Sequence, residues 1–221
     1  MERVANHKLK MRFARQFHLD SELPAYILDN LQLTYLEKGE HLYHQNNKLE
    51  FIYFLLQGKL QVDSSHKDGS HTTFSFETPF SILGDLELFE EMNILSNVIA
   101  LENCYLFSLS TQFLKKEAYN DPLFLRFIIR YIRKKLNFSV SIHNKVAQPL
   151  EYRVACYLSE KMKFEGEEFM LESRSSIASM FGVSVRHLNR VLKKLEQQGA
   201  IELRRKQVRV ISHDTLFSSF R

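Results

Sequence analysis

Arg186, His187, Arg190, Lys193 and Lys194 fall within nine residues of one another. Their spacing places them on one side of a helix. Guanidinium and ammonium groups so arranged suit one kind of chemistry. They neutralise a run of phosphates, and a guanidinium that reaches a base edge can give two parallel hydrogen bonds to guanine. Between them Leu188, Val191, Leu192 and Leu195 recur as the apolar stripe of a helix packed on its other face.

The flanking residues must position that helix. Ser173 precedes an apolar pattern of Ile177, Met180 and Phe181, and serine is a favoured helix N-cap. Gly182 stands where this first helix must stop and the chain reverse. Ser184 can cap the second helix, which Gly199 ends. Ile201-Glu202-Leu203 and Val208-Arg209-Val210-Ile211 read as two short strands around Arg204-Arg205-Lys206-Gln207, a basic wing. This is the layout of a winged helix-turn-helix, whose second helix enters the DNA major groove.

Charge agrees with that reading. Residues 174–211 hold 9 Lys/Arg against 2 Asp/Glu, while residues 1–144 hold 16 against 17. A basic end on a near-neutral body is the footprint of phosphate contacts. An enzyme is not expected: there is no nucleophile elbow, phosphate loop or metal-ligand set, and Glu90-Glu91 reads as a solvated turn. No apolar run approaches the roughly 20 residues of a membrane span, and the start lacks the apolar core of a signal peptide. Cys104 and Cys156 are the two cysteines. Each lies in an apolar pattern and reads as a small buried hydrophobe, so the cytoplasm is the expected compartment. His41, His44, His66 and His71 have no spacing that demands a metal, and no metal or cofactor is expected.

Upstream, residues 1–30 read as helical. Residues 33–110 alternate in short patches such as Leu60-Gln61-Val62-Asp63, punctuated by Lys38-Gly39-Glu40, Gln57-Gly58-Lys59, Lys67-Asp68-Gly69-Ser70 and Thr78-Pro79. Strands with a turn about every ten residues predict a β-barrel or roll. A long helix follows over 122–147, with Asp121 as cap and Pro122 at its first position. Leu125, Ile129, Ile132, Leu136, Ser139 and His143 alternate in steps of four and three, a seam for a partner helix. A second stripe of Phe124, Ile128, Tyr131 and Phe138 is left for the chain's own roll. Pro149 then marks a hinge, and Leu150–Phe164 reads as another helix before a turn at Glu165-Gly166-Glu167-Glu168. The fold class is therefore α+β. Residues 1–118 form the N-terminal helix and roll, 119–147 the dimerisation helix, and 148–221 the winged helix-turn-helix.

This order, with Lys38-Gly39-Glu40, Gln45, Tyr53-Phe54-Leu55-Leu56-Gln57-Gly58-Lys59 and Gly84-Asp85-Leu86-Glu87-Leu88-Phe89, resembles the cyclic-AMP-receptor and fumarate-nitrate-reduction (Crp/Fnr) family of bacterial transcription regulators. The resemblance implies an N-terminal cyclic-nucleotide-binding-type β-roll, with Gly84, Asp85 and Leu86 in its effector pocket. In the family an acidic residue here holds a ribose hydroxyl, and Asp85 matches it. The family's phosphate-binding arginine has no counterpart near Ile94 and Leu95, so cyclic AMP is not expected to bind in the usual way. In the DNA-binding part the resemblance assigns Arg174 and Ser184 to backbone phosphate and places His187 near the backbone. It assigns Val185, Arg186 and Arg190 to base edges. Lys193, Arg204, Arg205 and Lys206 would supply non-specific affinity.

The expected protein is a homodimeric regulator on a pseudo-palindromic site in double-stranded DNA. RNA polymerase is a further partner to expect if it activates. The effector is not identified. The competing reading is a ligand sensor that works through protein partners, against which the basic face and wing count.

Overall fold

The computed structural model describes residues 1–66, 71–90, 92–143 and 148–217. The expected turn at Lys67-Asp68-Gly69-Ser70, Glu91, and the end of the long helix at 144–147 lie outside the described residues. The chain divides into two compact units, Met1–Lys135 and Leu136–Arg221.

In the first unit a short strand β1 (Glu2–Arg3) precedes helices α1 (His7–Gln16), α2 (Leu19–Glu22) and α3 (Ala25–Asn30). Strands β2 (Gln32–Leu36), β3 (His41–Tyr43), β4 (Phe51–Gln57), β5 (Leu60–Ser65), β6 (His71–Glu77), β7 (Ser81–Leu83), β8 (Asn97–Ala100) and β9 (Cys104–Ser110) follow. They form two antiparallel sheets, ordered β1-β2-β9-β4-β7 and β3-β8-β5-β6. Strand β4 shows why its sequence, FIYFLLQ, does not alternate apolar with polar. Tyr53 and Leu55 face the second sheet together with Leu106, Leu60 and Val98. Ile52, Phe54 and Leu56 face the opposite way, onto Phe13, Leu19 and Ile27 of the helices. A strand covered on both faces is apolar at every position.

The strand pair β4/β9 needs Gly58 at its end. The φ of Gly58 is +95°, and a Cβ there would lie 2.6 Å from both Asn103 O and Cys104 Sγ. Cys104 is buried, and burial pushes its thiol up to about 11. So little thiolate leaves it inert, in keeping with a packing role.

After β9, α4 (Thr111–Phe113) runs into a π-helical stretch, Leu114–Ala118, and then α5 (Pro122–His143). Asp121 caps α5 as expected: its Oδ1 accepts from the Leu123 and Phe124 amides at 2.8 and 2.9 Å. Phe124, Phe127 and Ile128 are buried against the roll's helical-side core, with Tyr131 and Ile132 packed on it.

The second unit contains α6 (Leu150–Glu165), β10 (Glu168–Met170), α7 (Arg174–Phe181), α8 (Val185–Gln197), β11 (Ile201–Arg204), β12 (Gln207–Val210) and α9 (His213–Phe217). Its sheet order is β10-β12-β11. Two features differ from the sequence reading. Glu168, expected in a turn, begins a third wing strand, since Phe169 pairs with Val208 and is buried. Arg204 and Gln207, expected in the wing loop, instead pair as the last rung of the hairpin.

Candidate nucleic-acid interface

The second helix of the head, α8, is fixed by local chemistry in the turn that leads into it. Ser173 Oγ accepts from the Ser176 amide at 3.0 Å and starts α7. Gly182 ends it in the left-handed region at φ +67°, and the amides of Gly182 and Val183 return to Ser179 O and Ala178 O. Ser184 Oγ then accepts from the His187 amide at 3.2 Å and starts α8. Arg153 of α6 braces this turn, donating to Phe181 O at 3.2 Å with its guanidinium over the Phe181 ring. Leu188, Val191, Leu192 and Leu195 are all buried.

The opposite face of α8 is open. Val185, Arg186, Asn189, Arg190 and Lys193 are all exposed, and His187 is half-buried. At about 100° per residue the five exposed positions span an arc of roughly 140°, starting in the first turn. Asn189 is the residue the sequence reading missed. It lies between Val185 and Lys193 on this arc, and an asparagine amide can pair with both groups on an adenine edge. Its spacing, four residues after Val185 and four before Lys193, is the sequence signal that puts it on this face. Lys194 turns aside, 3.6 Å from Glu151.

The wing is exposed at Arg204, Arg205 and Lys206. Glu202 engages Arg204 at 2.8 and 2.9 Å, so that charge is partly spent within the wing. Arg205 sits at the tip with φ +56°. Arg174, at the start of α7, is half-buried, and its Nη1 is buried without a hydrogen-bond partner. Burial lowers its pKa, offset by the Tyr157 oxygen.

In the roll, Gly84, Asp85 and Leu86 follow β7. Gly84 has φ +84°, and a Cβ there would lie 2.5 Å from the Tyr43 hydroxyl. Asp85 is buried, whereas Leu86 is 57% exposed, so the two side chains point apart. Asp85 Oδ1 accepts from the Lys135 ammonium of α5 at 2.9 Å, and the same ammonium donates to Ile82 O. Asp85 Oδ2 is buried without a partner. Leu95 is 44% exposed, and its amide donates to the buried Glu87 carboxylate at 3.1 Å. His41 and His44 stack at 4.4 Å on the surface. Among the described residues no group of three or more His, Cys, Asp or Glu is placed to hold a metal ion.

Two family descriptions cover most of the chain: a cyclic nucleotide-binding domain over residues 33–118 and a Crp-like helix-turn-helix domain over residues 152–217. The chain belongs to the Crp/Fnr family. It is 25% identical over 176 residues to the cAMP-activated global transcriptional regulator CRP of Pasteurella multocida, spanning 76% of this chain and 84% of that one. It is 23% identical over 184 residues to the transcriptional regulatory protein btr of Bordetella pertussis, spanning 80% and 76%. The structure of FixK2 from Bradyrhizobium japonicum shares the fold at a TM-score of 0.75 and 19% identity, covering 85% of this chain and 96% of that one. TTHB099 of Thermus thermophilus does so at 0.69 and 17%, covering 84% and 95%. This Crp/Fnr protein is thus a DNA-binding transcription regulator with an α+β fold. No helix among its described residues is long and apolar enough to cross a membrane.

On the regulator's long helix the two stripes read from its sequence are not fully separate, since Ile132 of the seam packs on the roll's core. On the roll-facing stripe Phe124 and Ile128 are buried and Tyr131 is half-buried. On the seam, Leu125 and Ile132 are half-buried, while Ile129 and Leu136 are 62% and 59% exposed. The side chains of Phe138, Ser139 and His143 lie outside the described residues.

Proposed function

We propose that this regulator acts in the cytoplasm as a homodimer. Its two α8 helices would enter successive major grooves, about 34 Å apart, at a pseudo-palindromic operator. The observation that carries this reading is the open arc of Val185, Arg186, Asn189, Arg190 and Lys193, opposite the buried stripe of a capped helix. Arg186 and Arg190 would read guanines, Asn189 an adenine, and Val185 a thymine methyl. Ser184 already accepts from the His187 amide, which leaves its hydroxyl proton for a phosphate oxygen. Arg174, Lys193, Arg204, Arg205 and Lys206 add charge-driven grip on any sequence, and His187 lies beside the backbone.

The roll is a regulatory domain whose acidic residue has its own cation. Lys135 occupies Asp85 from within the chain, and no basic residue stands near Ile94 and Leu95, where the family reads a phosphate with arginine. Both features support a roll that does not take cyclic AMP in the family's manner.

The test is fluorescence anisotropy on an operator selected from a random pool, beside scrambled DNA. Arg186→Ala, Asn189→Ala and Arg190→Ala should each lower discrimination at one base position by about 1–3 kcal/mol. Full operator preference in Arg190→Ala would show that another surface reads the sequence.

A further inference from the structure

The head contains a buried charge cluster that touches no base-reading residue. It lies where α6, β10 and the start of α7 meet. Glu172 is buried, its side chain 3% exposed, immediately before the cap residue Ser173. Its Oε1 accepts from the Lys161 ammonium at 2.7 Å, and its Oε2 accepts from the Tyr157 hydroxyl. Lys161 also donates to Glu165 Oε1 at 3.0 Å. Lys161 itself is almost fully buried, and its ammonium lies over the Tyr157 and Phe169 rings at 5.9 and 5.3 Å. Tyr157 meets Phe181 edge-on at 5.9 Å.

Arg174 stands two residues beyond Glu172, close enough to Tyr157 for each to shift the other's protonation. Among the described residues it nevertheless has no carboxylate within ion-pair reach, and its Nη1 is buried and unpartnered. A desolvated guanidinium beside a buried carboxylate would ordinarily pair with it. Here the carboxylate is already held on both oxygens.

We propose that Lys161 and Tyr157 are positioning residues that hold Glu172 off Arg174, so that the Arg174 charge is kept for a DNA phosphate. This rests on the phosphate-binding role proposed above for Arg174. Without Lys161, a buried Glu172 would turn to Arg174, which stands two residues along the chain and acts on the same Tyr157, and their pairing would cancel the charge offered to DNA. The consequence is one fewer phosphate neutralised per head, caused by a residue that does not reach the DNA.

The experiment measures binding of the full chain to a 30-base-pair duplex of random sequence across a salt series. The slope of log affinity against log salt falls by about 0.9 for each phosphate that is no longer neutralised. Lys161→Met is expected to lower the slope as much as Arg174→Ala does. Lys161→Met/Glu172→Gln is expected to regain it, because a neutral amide no longer draws Arg174 in. Tyr157→Phe keeps the ring packed on Phe181 and is the milder variant, with a smaller drop in slope expected; it also serves if Lys161→Met does not fold. A purely structural role would lower the melting temperature and leave the slope of the folded protein unchanged, and that result overturns the proposal. So would failure of the Glu172→Gln rescue in a folded double variant. If Arg174→Ala itself leaves the slope intact, the phosphate role of Arg174 is wrong and the positioning role goes with it.

Discussion

Replacing Ile129 and Leu136 together by lysine is expected to give a folded monomer whose operator affinity is about 100- to 10,000-fold weaker than that of the native chain. The two residues lie seven apart on α5, on one side of the helix, and are more than half exposed. The stripe of Phe124, Phe127 and Ile128 is buried against the roll, so the exposed side chains of Ile129 and Leu136 do not support the fold of the chain that carries them. Burying such a side chain fully yields about 1.5–3 kcal/mol, and a two-fold interface counts each residue twice. Lysine in its place would set like charges facing across the symmetry axis. In the proposed homodimer, operator affinity would suffer because two heads on one dimer make the second half-site encounter intramolecular. Sedimentation velocity should show the monomer, anisotropy the weaker binding, and thermal melting an unchanged fold. A dimer that survives both substitutions would place the interface elsewhere.

Lys135→Met is expected to destabilise the N-terminal unit by about 3 kcal/mol. Removing one partner of a buried ion pair costs about 3–5 kcal/mol. The lower end applies because Lys135 is 32% exposed while Asp85 is 3% exposed, so water can partly replace the ammonium. The stranded carboxylate would then be without the Lys135 charge, with Oδ2 already lacking a partner. Adding Asp85→Asn should recover a good part of that stability, since a neutral amide is cheaper to keep buried. Denaturant unfolding followed by tyrosine fluorescence measures all four corners of the cycle. A coupling below about 0.5 kcal/mol would mean that the two sites act independently and that the pair contributes little to stability.

The head was the most legible part of the molecule because its determinants are local. Ser173, Gly182 and Ser184 act on amides and carbonyls within a few residues, and each stands where the sequence placed it. The Asp121 cap is local in the same way. The strands of the roll could be read from turn residues, though not their partners: β2 lies beside β9, so Thr34 meets Leu106, 72 positions away. The Lys135–Asp85 pair spans 50 residues and the Lys161–Glu172 pair 11. Neither has a spacing rule, because tertiary packing alone decides which buried acid finds which base. The third wing strand was missed for a related reason. Glu168 and Met170 look like surface residues, and Phe169 alone between them does not announce a strand until Val208 is set opposite.

Arg205 occupies the turn between β11 and β12 with φ +56°. A side chain in that region is disfavoured by about 1–2 kcal/mol, a penalty glycine escapes. With the grip on DNA proposed for Arg205, selection for heat resistance and selection for DNA binding would pull on this one position in opposite directions. In a library scored only on survival of heating, Arg205→Gly should be enriched. Scored on occupancy of DNA in the same library, it should be depleted. A lineage living near its thermal limit would face that conflict at the wing tip before it reached the reading helix, whose exposed residues adopt ordinary helical angles.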